Sequence, residues 1–289
     1  MSLVSMNVLL AHAREHRYAV PAFTVNLESI ETAARAAEEE DSPIILMGWE
    51  GDLQCTDIRH WAALTRAVAQ SSRVPTAVHL DHGTCFRICM EAIQCGFTSV
   101  MIDGSGKPYQ ENVAVTRKVV ETAHVVGVTV EAELGRVGQG SEKLTKAEAQ
   151  QMMTDPDQAA EFVRATGVDA LAVAVGNLHG LYKYEPKLDL ERLEEIRNKV
   201  DCFIVLHGGS GTPRRPEAIA RGVTKINVAA DLQLAFLGGI RRVLENVPAT
   251  PRYQANVLVP ATDAMKEVMK ATIREFGACG QAATVLLRA

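Results

Sequence analysis

Short apolar runs rich in β-branched residues recur along the chain, and stretches with helical spacing of apolar positions separate them. The runs at residues 19–23, 43–47, 76–80, 99–102, 128–133, 170–175, 203–207 and 224–228 predict eight strands. Several are apolar at consecutive positions, as a parallel sheet covered on both faces requires. Residues 30–40, 58–70, 86–95, 111–125, 159–165, 190–199 and 217–220 predict the intervening helices. Strands alternating with helices imply a parallel α/β fold, and eight repeats imply closure. The expected architecture is a single (β/α)8 TIM barrel over residues 1–289, with 231–245 and 261–276 as extra C-terminal helices.

The polar residues support closure independently. Asp81 and His82 follow the third run, Asp103 the fourth, Glu131 and Glu133 end the fifth, His179 follows the sixth, His207 ends the seventh and Asn227 lies in the eighth. A barrel gathers its chemistry on the rim at the C-terminal strand ends, whereas an open doubly wound sheet concentrates it at one switch point. The longest connection, 134–158, opens with Gly135, Gly138 and Gly140 and reads as an active-site lid.

Charge and composition narrow the function. Thirty Lys plus Arg against 35 Asp plus Glu leave a net charge of −5, which does not suit a general nucleic-acid binder. No stretch approaches the roughly 18 apolar residues of a membrane helix. Val8-Leu9-Leu10-Ala11 is followed at once by charged residues and predicts an amphipathic first helix, not a signal peptide. The 6 cysteines form no Cys-x-x-Cys pair, so a reducing cytoplasm is expected.

Three rim histidines, His82, His179 and His207, each precede a glycine. Neutral imidazoles with an open fourth position make a catalytic zinc site, against the alternative that they cap strands. Asp103 and Glu133 are candidates for an alternative metal position, or for accepting N–H bonds from the ligand histidines. Asp81 adjoins His82, where it can exchange a proton with a metal-bound substrate. His79 shares a strand face with Asp81 and is a candidate supporting group. Glu142 would reach a substrate only after lid closure, shielded from water. His12, His16, His60 and His124 fall on predicted helices as surface or packing residues.

Two segments suit a phosphate: the loop His207-Gly208-Gly209-Ser210-Gly211-Thr212, and Asn227-Val228-Ala229-Ala230-Asp231 leading into a helix. Exposed backbone N–H groups and a helix N-terminus attract anions, and loops after strands seven and eight are the usual phosphate site of such barrels.

Six motifs in order, His79-Leu80-Asp81-His82-Gly83, Met101-Ile102-Asp103-Gly104-Ser105, Val130-Glu131-Ala132-Glu133-Leu134-Gly135, Gly176-Asn177-Leu178-His179-Gly180, His207-Gly208-Gly209-Ser210-Gly211 and Lys225-Ile226-Asn227-Val228, resemble those of the class II, zinc-dependent fructose/tagatose-bisphosphate aldolases. The resemblance runs from Pro21-Ala22-Phe23 to the terminal helices. It implies Zn²⁺ on His82, His179 and His207, with Asp81 serving the aldehyde oxygen. Glu142 would serve the carbon of dihydroxyacetone phosphate that becomes nucleophilic. Gly180, Gly208, Ser210 and Asn227 would hold its phosphate beside a monovalent cation (Na⁺ or K⁺), and Arg252 a second phosphate. A homodimer or homotetramer is implied as well. Thr24, Trp49 and Ala230 depart from the residues usual in that family, so the substrate pocket is altered where the metal site is not. Two other readings stay open: a zinc hydrolase with Asp81 activating water, and a non-catalytic sugar-phosphate binder.

Overall fold

A computed structural model describes residues 2–139, 150–180, 187–245 and 253–286. The strands are β1 (Val20–Thr24), β2 (Ile44–Trp49), β3 (Thr76–Gly83), β4 (Ser99–Ile102), β5 (Thr129–Leu134), β6 (Gly138–Gln139), β7 (Ala170–Val173), β8 (Leu178–His179), β9 (Phe203–Leu206) and β10 (Val223–Val228). Eight of them close a barrel in the order β1-β10-β9-β7-β5-β4-β3-β2. Every pairing in it is parallel. All eight predicted runs are therefore barrel strands. The two-residue strands β6 and β8 were not expected; they pair with each other in a separate two-stranded sheet.

The helices are α1 (Met6–His16), α2 (Ile30–Glu39), α3 (Ile58–Ser71), α4 (Phe86–Gln94), α5 (Tyr109–Val125), α6 (Pro156–Thr166), α7 (Leu190–Lys199), α8 (Arg215–Ala220), α9 (Ala230–Glu245), α10 (Ala255–Glu275) and α11 (Ala282–Leu286). Local chemistry sets their ends. In α6 the Asp155 carboxylate accepts from the backbone N–H groups of Asp157 and Gln158, Pro156 opens the first turn, and Gly167 closes the last with φ +68°. The helix thus begins before the apolar spacing at 159 that predicts it.

The N-terminal segment covers the start of the barrel. Val4 N–H donates to Thr76 O at 3.0 Å, and Ser5 Oγ lies 2.8 Å from Thr129 Oγ1, at the first residues of β3 and β5. At the other flank α10 is tied to α2: Arg274 Nε donates to Glu40 Oε2 at 2.8 Å, and Lys266 and Lys270 reach Glu39. With one end covered, the opposite rim is left as the place for a ligand.

The barrel interior is unusual for carrying charge. His79, Glu131 and Lys225 are completely buried, where aliphatic layers normally fill such barrels. Two positions further along the same strands stand Asp81, Glu133 and Asn227, also buried, while Leu80, Ala132 and Ile226 between them pack outward with the apolar core. Strand alternation therefore builds two stacked polar layers, the upper one opening onto the rim.

Candidate metal centre and active site

The rim encloses a cleft of about 900 Å³, lined among others by Asp81, His82, Asp103, Glu133, His179, Gly208, Ser210 and Asn227. Strict alternation would turn Asp81 and His82 to opposite faces of β3. Instead the β3–β4 register shifts between Leu80 and Gly83, and His82 takes φ +51°. A non-glycine residue in the left-handed region costs roughly 1–2 kcal/mol, and here it brings both side chains to one cleft.

His82, Glu133, His179 and His207 each offer one ligand atom, and these four atoms lie within 4.8 Å of one another. The ring centroids of His82 and His207 are 4.7 Å apart, those of His82 and His179 5.2 Å. Their other nitrogens explain the orientation. His82 Nδ1 donates to Asp103 Oδ2 at 2.8 Å, and Ser105 N–H and Oγ donate to Asp103 Oδ1. His207 Nε2 donates to Glu131 Oε1 at 2.8 Å, while Asn177 Nδ2 donates to the His207 carbonyl at 3.0 Å. Thus His82 turns its Nε2, and His207 its Nδ1, toward the common centre. Asp103 lies behind His82 and outside the cluster of four, the arrangement of a carboxylate that orients a ligand and not of the alternative metal position.

The residues fit a divalent metal on two observations. His207 Nδ1 and Glu133 Oε2 are buried and face each other at 3.1 Å with no other partner, so both can turn to a shared third group. The donors are imidazole nitrogens and a carboxylate, the set that suits zinc. Burial, with help from the neighbouring His207 and His82, pushes His179 down to about 4, which leaves it a neutral, ligand-ready imidazole. At His207 burial opposes charge, but the carboxylates of Glu131 and Glu133 outweigh it and push the group up to about 10. Without metal a proton therefore holds these two acids together.

Asp81 is linked to the lower polar layer. Its Oδ1 accepts from Asn227 Nδ2 at 3.0 Å; Asn227 Oδ1 accepts from Lys225 Nζ at 2.7 Å; and Lys225 Nζ pairs with Glu131 Oε2 at 2.8 Å. Burial resists ionisation of Asp81, but His82, His207 and Lys225 hold its carboxyl below the usual range. It is an ionised acceptor beside the four candidate metal donors. His79, pushed down to about 3 by burial and then by Lys225, is neutral and bonded to Ser99 Oγ at 2.9 Å, so it supports the layer without facing the cleft.

The anion-suited loops lie on the same rim. Gly208 has φ +60°, and a Cβ there would stand 1.9 Å from Leu178 O. β8 can lie against this loop only because the residue is glycine. Ser210 Oγ accepts from the N–H groups of Ala229 and Asp231 at 3.2 and 3.1 Å, joining the loop after β9 to the start of α9. Gly180, Ala229 and Ala230 also line the cleft. Two expected phosphate residues do not. Val228 is fully buried in β10, paired with Phe23, and a Cβ on Gly209 would strike Ile226 Cγ2 at 2.3 Å. Both shape the loop and strand from behind. Glu142 and Arg252 lie outside the described residues.

With this geometry in place, the chain can be set beside known proteins. The family model for class-II fructose-bisphosphate aldolase matches residues 4–281. The chain belongs to the class II fructose-bisphosphate aldolase family. It is 44% identical to the fructose-bisphosphate aldolase of Staphylococcus aureus over 98% of this chain and 100% of that protein. Among solved structures it resembles the YdjI aldolase of Escherichia coli K12, with TM-score 0.85, 32% identity and coverage of 97% and 99% of the two chains. A putative fructose-1,6-biphosphate aldolase from Coccidioides immitis is similar, with TM-score 0.85, 31% identity and coverage of 96% and 97%. As a class II aldolase the chain is a lyase, which sets aside the hydrolase and the non-catalytic binder.

Sequence reasoning missed three participants of this aldolase site. Lys225 and Asn177 were quoted only inside motifs, although the spacing Lys225-Ile226-Asn227 repeats that of His79-Leu80-Asp81 and Glu131-Ala132-Glu133 and signals the same inward face. Arg136 lines the cleft from the loop after β5 and carried no signal beyond its place in that loop.

Proposed function

We propose that the chain catalyses zinc-dependent, reversible cleavage of a phosphorylated ketose, of the kind of fructose or tagatose 1,6-bisphosphate, into dihydroxyacetone phosphate and an aldehyde. The observation that carries this reading is the convergence of four metal-donor atoms within 4.8 Å beside the buried carboxylate of Asp81. His82, His179 and His207 would hold the metal, with Glu133 as the fourth donor. Bound there, zinc supplies Lewis acidity for the ketone oxygen.

The chain's own residues do the rest. Gly180, Gly208 and Ser210, with Ala230 at the start of α9, receive the phosphate of the dihydroxyacetone phosphate half, beside a monovalent cation (Na⁺ or K⁺). Asp81 takes the proton from the hydroxyl that becomes the aldehyde oxygen and returns it in condensation; Asn227 keeps its carboxylate aimed. Glu142 exchanges the proton on the nucleophilic carbon, and Arg252 is the cation for a second phosphate where a substrate carries one.

The protein acts in the cytoplasm as a homodimer or homotetramer. The assembly is supported by Leu234, Leu237 and Leu244 on α9 and Val259 on α10, all exposed on neighbouring helices. Light scattering tests this, and a monomer at micromolar concentration would exclude it. Dialysis against a chelator is expected to abolish retro-aldol activity, and Zn²⁺ or Co²⁺ to restore it. Full activity in metal-free protein, or a lysine adduct trapped by borohydride, would overturn the mechanism.

A further inference from the structure

The two walls of the cleft differ in chemistry. The wall built by the ends of β9 and β10 has the glycine loop, Ser210 and the start of α9, all suited to one phosphate. The end of β2 forms another wall, which flanks Asp81 directly. Trp49 is the ladder partner of Asp81, and Glu50 N–H donates to Asp81 O at 3.1 Å. Since Asp81 serves the aldehyde oxygen, the remaining carbons of the aldehyde half run along this wall.

The Trp49 side chain lies across Gly51, where an added Cβ would stand only 2.5 Å from the indole. The ring is therefore laid on the backbone, yet Trp49 is 45% exposed, so it offers an apolar surface to the cleft. Asp52 lines the cleft beside it. Glu50 is occupied as a brace: its carboxylate accepts from Thr84 N–H at 2.6 Å and Thr84 Oγ1 at 3.1 Å. Among the described residues, no lysine or arginine stands on this wall, and Arg136 reaches the cleft from the loop after β5.

A phosphate dianion placed against the described part of this wall would meet an indole and two carboxylates, and no described cation of the wall offsets them, which disfavours it. A polyhydroxylated carbon chain is received well: its C–H groups pack on the indole, and its hydroxyls donate to Asp52 and exchange hydrogen bonds with Thr24. We propose that Trp49 and Asp52 select an uncharged polyhydroxy aldehyde, so that the preferred ketose carries its phosphate on the dihydroxyacetone phosphate half alone. This rests on the aldolase reading above and specifies its phosphorylated ketose as a monophosphate.

Condensation tests it with the zinc-loaded enzyme and dihydroxyacetone phosphate, comparing glycolaldehyde, both enantiomers of glyceraldehyde and four- to six-carbon aldoses with glyceraldehyde 3-phosphate. The best unphosphorylated aldehyde is expected to exceed glyceraldehyde 3-phosphate in kcat/KM by about tenfold or more, the range that pocket discrimination supplies. Trp49→Ser should lower kcat/KM for the unphosphorylated aldehyde, and Asp52→Asn should raise it for glyceraldehyde 3-phosphate. Quenching of Trp49 fluorescence by the unphosphorylated aldehyde, lost in Trp49→Phe, reads the contact without turnover. Glyceraldehyde 3-phosphate used equally well or better overturns the inference while leaving the aldolase reading intact. Failure of every aldehyde, together with no solvent proton exchange into dihydroxyacetone phosphate, overturns both.

Discussion

Lys225→Met is the most informative single change, because one buried cation serves both halves of the site. Lys225 Nζ lies 2.8 Å from Glu131 Oε2 and 2.7 Å from Asn227 Oδ1, and both Lys225 and Glu131 are completely buried. Methionine matches the volume but, in zinc-loaded protein where His207 is neutral, leaves Glu131 as a charge in the barrel interior with only imidazole partners. Removing one member of a buried ion pair costs about 3–5 kcal/mol. Orphaning the Asn227 carbonyl oxygen adds about 1–3 kcal/mol unless the amide turns to a new partner. Against a total of about 5–15 kcal/mol for a typical domain, this is a loss of a large fraction. Urea unfolding followed by circular dichroism measures it. The companion variant Lys225→Met/Glu131→Gln removes the orphaned charge while keeping an acceptor for His207 Nε2, so it should recover much of the lost stability. Activity should stay low in both, since Asn227 no longer has the donor that aims it at Asp81. The reasoning is refuted if Lys225→Met unfolds within about 1 kcal/mol of the wild type, or if the double variant is the less stable of the two.

The proton on His207 makes metal loading pH-dependent. Its folded value, up to about 10, lies above the ordinary 6.5, so its contribution to stability is present below about pH 6.5 and is lost as pH rises through about 10. Metal-free protein should lose thermal stability across about pH 7 to 10 relative to zinc-loaded protein. Zinc titration near pH 8 should release about one proton per metal, read from the buffer dependence of the calorimetric heat, and zero release would contradict the geometry. Two glycines give a controlled contrast. Gly208→Ala sets a Cβ 1.9 Å from Leu178 O and should abolish binding of dihydroxyacetone phosphate, whereas Gly180, with φ +77° and nothing within 4 Å among the described residues, should tolerate alanine at a cost of about 1 kcal/mol. Equal effects on thermal melting and ligand affinity would show that the loop is not held as described.

The barrel was legible because its signal is local and repeated: each strand must be apolar on consecutive positions to be covered on both faces, and the polar residues then fall at the strand ends. His82, His179 and His207 could be marked on that basis, and their convergence follows from closure. What local pattern could not show is which atom of each side chain faces inward. The tautomers of His82 and His207 are chosen by Asp103 and Glu131, which come from different strands, and the turn of β3 that brings Asp81 and His82 together depends on a single backbone angle at His82. Lys225 illustrates a different obstacle. A lysine in an apolar strand reads as an edge or a solvent-facing position unless its neighbours two residues away are considered with it. Set beside His79-Leu80-Asp81 and Glu131-Ala132-Glu133, the triplet Lys225-Ile226-Asn227 has the same alternation, and three strands with that pattern can satisfy their inward charges only on one another. The charge at the barrel centre is thus a consequence of closure acting on a period-two pattern. It also gives the barrel a reason to keep a lysine there: without it, the carboxylate that orients His207 would itself be too costly to bury.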